Sequence, residues 1–84
     1  MAGYHKREIP HGVFGEIGKI REELEELEDA YEQGIRIMVG CELSDLYGAL
    51  EEFAIRNGYT IEDLRKMAEI SRHVFESGYR TPRG

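Results

Sequence analysis

From Ile35 to Ala54 the chain reads IRIMVGCELSDLYGALEEFA, its most apolar segment. The run is too long for one strand, and from Met38 to Phe53 its apolar residues fall at helical spacing. It is therefore a helix, apolar around most of its circumference, and belongs at the centre of the molecule as its most buried element. Gly40 and Gly48 lower its helix propensity and leave room for a neighbouring helix or a ligand. Asn57-Gly58 ends it.

Upstream, Ile17, Ile20, Leu24, Leu27 and Tyr31 alternate spacings of three and four, which predicts an amphipathic helix buried along that stripe and closed by Gly34. Downstream, Thr60 with Asp63 resembles a capping box. It opens a third helix with Ile61, Leu64, Met67, Ala68, Ser71, Val74 and Phe75 on one stripe, stopped by Gly78. The fold class is all-α: an antiparallel helical bundle of about three helices per chain. Three helices make a thin bundle, so a second copy is expected to complete it, as a homodimer or homotetramer. Residues 1–12, MAGYHKREIPHG, read as an N-terminal arm ordered by a partner or a ligand. Residues 13–80 form the helical domain and 81–84 a C-terminal tail.

The 84 residues, 40% hydrophobic and 33% charged, fit one small soluble domain. Seventeen acidic against eleven basic residues give a net charge of −6, which argues against a nucleic-acid binder. The single cysteine, Cys41, excludes an internal disulfide, and no Cys/His spacing suggests zinc. Cys41, Met38 and Met67 read as packing residues, and His73 as a surface histidine. No apolar run reaches membrane-spanning length and no signal-peptide pattern is present, so the expected location is cytoplasmic.

The acidic stretch REELEELEDAYE (residues 21–32) looks at first like a solvated helix face. Glu23, however, lies three residues after Ile20 and four before Leu27, so it borders the apolar stripe. Glu26 projects beside it one turn on. Glu22, Glu25 and Glu28 are the better candidates for solvent-facing charge. On the second helix Glu42 and Asp45 are the only charges between Arg36 and Glu51. A buried carboxylate costs several kcal/mol unless it is paired, protonated or metal-bound. Pairing with Arg21, Arg36 or Arg72 is the structural alternative, but no cation stands one turn away on the same helix. The functional reading is that Glu23, Glu26, Glu42 and Asp45 converge on hard cations, Mg²⁺ or Mn²⁺. A di-iron centre would need Glu-x-x-His pairs, and His5, His11 and His73 do not supply them.

With Glu23-Leu24-Glu25-Glu26 and Glu42-Leu43-Ser44-Asp45 sixteen positions apart, the chain resembles the MazG-like all-α nucleoside triphosphate pyrophosphohydrolases. It looks most like the small phage-encoded type, which includes a MazZ-like branch. The stretches KIREELEELEDAYEQG, CELSDLYGALE, EDLRKM and FESGYR extend the resemblance over Gly15 to Arg80. It departs at the N terminus, where larger members carry another helix that contributes to the base pocket.

The resemblance implies hydrolysis of (deoxy)nucleoside triphosphates to the monophosphate and pyrophosphate, in the host cytoplasm if phage-encoded. The best-matching substrate is a purine, dGTP or GTP, and the role is to shape or clean the nucleotide pool. Two or three Mg²⁺ or Mn²⁺ ions would be held by Glu23, Glu26, Glu42 and Asp45, with Glu23 or Glu26 orienting the attacking water. Lys19, Lys66, Arg72 and Arg80 are candidates for phosphate contacts, against solvated surface charge as the plainer reading. His11 and Phe14 are candidates for the base. The alternative from another class is a non-catalytic acidic helical interaction module, which leaves Glu42 and Asp45 in their apolar segment unexplained.

Overall fold

Gly34 takes φ 74°, in the left-handed region that favours glycine, and its N–H bonds back to the Tyr31 carbonyl. This stop closes α1 (Ile17–Gln33) and leaves only Gly34 and Ile35 before α2 (Arg36–Arg56), so the two helices fold back on one another. Thr60 opens α3 (Ile61–Ser77), its Oγ1 accepting the Asp63 N–H at 3.0 Å, and Gly78 closes it. The computed structural model describes residues 5–78, and among them the secondary structure is these three helices, with no strand. Arg80 and the 81–84 tail lie outside the described residues.

The three helices stand where the sequence places them, but their packing differs from a three-helix bundle. α1 lies along α2, while α3 touches α2 alone and makes no contact with α1. A cleft of about 350 Å³ separates α2 from α3, lined by Tyr47 and Leu50 on one side and Ile61, Leu64 and Ala68 on the other. No residue of α3 is buried, and Met67, expected in the core, is 54% exposed. Among the described residues α3 has one neighbouring helix instead of two, which leaves the rest of its stripe uncovered.

The same shortage of neighbours changes α1 and α2. The expected stripe of α1 is not the buried one: Ile17, Leu24 and Tyr31 are exposed, and Ile20 and Leu27 are half-buried. The side of α1 turned inward carries Glu22, Glu23, Glu26, Asp29 and Ala30. α2 meets it with Met38, Glu42 and Ala49, and also buries Ala54. Ile37 and Leu43 of α2 are exposed, as are Tyr47 and Leu50 on the cleft toward α3, so this helix is not buried all round as its composition suggested. Cys41 is exposed too, because position 41 lies off the Met38–Glu42–Ala49 face.

Residues 5–16 are irregular and run back along α1, with His5 and Lys6 at Asp29 and His11 and Gly12 at Glu22. Gly12 crosses the first turn of α1 so closely that a Cβ there would overlap the backbone of Gly18 and Lys19. Arg7 ties the outer edge of the arm to Glu32 at 2.8 Å. The arm is thus laid over the acidic side of α1 by polar contacts.

Candidate metal centre

Positions 22, 26 and 29 of α1 follow the spacing of four and three that puts residues on one helix face, with Glu23 beside them. That face meets Glu42, the largest fully buried side chain among the described residues, at 1% exposure. Three groups of potential ligand atoms result, each with its members within 4.8 Å of one another: Glu23, Glu42 and Asp45; Glu22, Glu23 and Glu26; His5, Glu26 and Glu42. Glu23, Glu26 and Glu42 each belong to two groups, so the three form one continuous nest between α1, α2 and the arm. A cavity of about 360 Å³ opens onto it, lined by Lys19, Glu22, Glu23, Glu26 and Asp45 together with Phe14, Ser44 and Gly48.

Two acids sit differently from their expected environments. Glu22, expected in solvent, is buried. Its carboxylate accepts the Gly12 N–H at 2.8 Å and lies 3.3 Å from both Lys19 Nζ and His11 Nδ1. Burial works to raise its pKa, but these three donors outweigh it and the net shift is downward. Asp45, expected inside the apolar helix, is exposed at the cavity mouth, where a ligand or water reaches it.

Among the described residues, lysine and arginine are scarce in the nest. Lys19 Nζ lies 3.0 Å from Glu23 Oε2, and this bond leads the upward shift of the lysine. The other oxygen, Glu23 Oε1, is buried and has no hydrogen-bond partner. Glu26 is raised to about 7, first by burial and then by the neighbouring Glu23 and Glu42 charges. Asp29 is held low, chiefly by the His5 hydrogen bond at 2.8 Å and, against some burial, by the Lys6 N–H and Gln33. Glu23, Glu26, Glu42 and Asp45 themselves offer only oxygen donors, with His5 Nε2 3.3 Å from Glu42, and the Glu23 carboxylate is partly unsatisfied. Those are the conditions a divalent hard ion meets.

Lys19, His11 and Phe14 all stand beside this nest, with His11 largely exposed and Phe14 half-exposed. Lys66 and Arg72 do not join them. Both are exposed on α3, away from α1, and Arg72 Nε lies 3.5 Å from Glu76. His73 is exposed, as expected of a surface histidine. The sequence pattern missed His5 and Asp29. An arm residue has no helical period to read, and Asp29 lies in the same acidic run as residues that do face solvent. Compared with protein-family models, curated proteins and solved structures, the chain matches none.

Proposed function

We propose that this chain is a metal-dependent hydrolase that converts nucleoside triphosphates to the monophosphate and pyrophosphate. The reading rests on one observation: Glu23, Glu26 and Asp45 line one cavity, Glu42 is buried within ligand distance of Glu23 and Asp45, and among the described residues Lys19 is the one lysine or arginine on the cavity wall. These four residues hold the Mg²⁺ or Mn²⁺ ions of the proposal. When bound, such ions lower the pKa of water and offset charge on phosphoryl oxygens.

The chain's own groups supply the rest. Lys19 and Phe14 line the cavity; Lys19 is the proposed contact for a phosphate oxygen and Phe14 the proposed aromatic contact for a base. Glu23 and Glu26 are the proposed water-orienting pair. Of the two, Glu26 has a carboxyl shifted to near neutrality, suited to exchanging a proton with water. Lys66, Arg72 and Arg80 enter this scheme through a second copy. The open apolar stripes of α1 and α3 are the surfaces such a dimer or tetramer would cover. Purine selectivity, dGTP or GTP, comes from the family resemblance alone.

A pyrophosphate-release assay against the eight common NTPs and dNTPs, with Mg²⁺ or Mn²⁺, tests the proposal. Monophosphate plus pyrophosphate, abolished by EDTA, is the expected result, with dGTP or GTP turned over fastest. No turnover, together with no metal-induced rise in melting temperature, would leave the acidic interaction module as the better reading. Light scattering on the same sample tests the oligomer, and an active monomer would exclude the second-copy contacts.

A further inference from the structure

We propose that His5 is a metal ligand: its Nε2, with Glu26 and Glu42, forms a mixed nitrogen–oxygen subsite for a first-row transition ion such as Mn²⁺ or Fe²⁺. The inference rests on the metal-binding part of the function proposed above and needs nothing from the substrate part. It adds a donor type, and with it a metal preference, that the all-carboxylate group Glu23, Glu42 and Asp45 lacks.

The orientation of the ring is the first argument. His5 is carried by the arm, yet its side chain is only 4% exposed and lies within the acidic nest. Its Nδ1 donates to Asp29 Oδ2 at 2.8 Å. The same oxygen accepts the Lys6 N–H at 3.1 Å and Gln33 Nε2 at 3.0 Å, so the carboxylate is itself held in place. A carboxylate on Nδ1 fixes the tautomer that presents the Nε2 lone pair outward, the arrangement that supports metal-bound histidines. Nε2 then points at Glu42 Oε2, 3.3 Å away, and Glu26 Oε1, 3.9 Å away.

Distances are the second argument. Neighbouring donors around an octahedral ion with bonds of about 2.1 Å stand roughly 3 Å apart. His5, Glu26 and Glu42 are within 4.8 Å of one another, so small side-chain adjustments bring all three onto one ion. Independently, Glu23 Oε1 is buried in the adjoining part of the nest with no hydrogen-bond partner, while Lys19 engages the other oxygen of the same carboxylate. Imidazole favours transition ions over Mg²⁺, which takes oxygen. This subsite therefore favours a first-row transition ion such as Mn²⁺ or Fe²⁺ over Mg²⁺, even where Mg²⁺ fills the carboxylate group, and a bound ion pins the arm across α1 and α2.

The probe is Mn²⁺ alone, added to the full chain and read by electron spin-echo spectroscopy for imidazole nitrogen coupling. The doubly substituted His11→Ala, His73→Ala protein keeps His5 as its only histidine. Nitrogen coupling is expected in both the wild type and this variant. Adding His5→Ala should remove it and weaken one Mn²⁺ site by about tenfold or more. The single-histidine protein decides the question even if His5→Ala fails to fold. Bound Mn²⁺ without nitrogen coupling in that protein overturns the ligand assignment and leaves the carboxylate site standing. No Mn²⁺ binding to the wild type overturns both.

Discussion

α1 and α3 are each 17 residues long, each carries an apolar stripe, and each is closed by a glycine in the left-handed region. Their fates differ. α1 is clamped between α2 and the arm and buries four carboxylates, while α3 touches α2 alone and buries no residue. The charges of α3 pair along its own surface, as in Arg65–Glu62 at 2.8 Å. Those of α1 are met from outside the helix by His5, the backbone of Lys6 and Gly12, and, within it, by Lys19. Covering carboxylates while leaving Leu24 and Tyr31 in the open runs against the ordinary direction of burial. This inversion is what the proposed metal site would account for, and the contrast between the two helices can be tested directly.

The largest expected effect separates charge in the nest from charge on α3. Glu42→Gln and Asp45→Asn should each lower metal-dependent pyrophosphate release by about a hundredfold or more and abolish the Mn²⁺-induced rise in melting temperature. Glu69→Gln on α3 should stay within about twofold. Without metal, Glu42→Gln should melt no lower than the wild type, because it removes a negative charge that Glu26 already opposes. Equal losses from the nest and from α3 would break the distinction.

Core substitutions come next. Met38, 8% exposed, should cost about 2–4 kcal/mol when changed to alanine, whereas Met67, 54% exposed, should cost about 0.5 kcal/mol or less. Chemical denaturation of both variants gives the comparison. A Met67→Ala loss matching that of Met38→Ala would mean that a second copy covers α3. The arm can be tested in the same way: Gly12→Ala places a Cβ against the Gly18 backbone, and should cost about 1–3 kcal/mol and detach the Gly12–Glu22 bond.

The smallest effect is on pH. Glu26, raised from the ordinary carboxyl range to about 7, favours the folded state when protonated. Its stabilisation is complete below about pH 4.5 and is lost as pH rises through 7. Glu22 and Asp29, both held low, act in the opposite sense and only at more acidic pH. In EDTA the protein should therefore melt a few degrees higher at pH 5 than at pH 8, and Glu26→Gln should flatten the difference. Saturating Mn²⁺ should reverse the slope, since ligation needs the ionised carboxylate.

The sequence by itself determined where the helices run and stop. Spacings of three and four, the Thr60 cap and the glycines at 34 and 78 act through atoms a few residues away, so they can be read without knowing the fold. It also determined the pairing of Glu23 with Glu26 and of Glu42 with Asp45 along their helices, because helical periodicity alone puts residues three apart on one side. Only the tertiary structure decided which side each helix turns inward. The two-residue link between α1 and α2 and the docking of the arm through His5 and Gly12 cover the acidic face of α1 and leave its apolar stripe open. That choice placed Glu22, Asp29 and His5 in the nest, and Asp45, Cys41 and Met67 at the surface. A stripe states what would benefit from cover, whereas the contacts of distant segments settle what is covered.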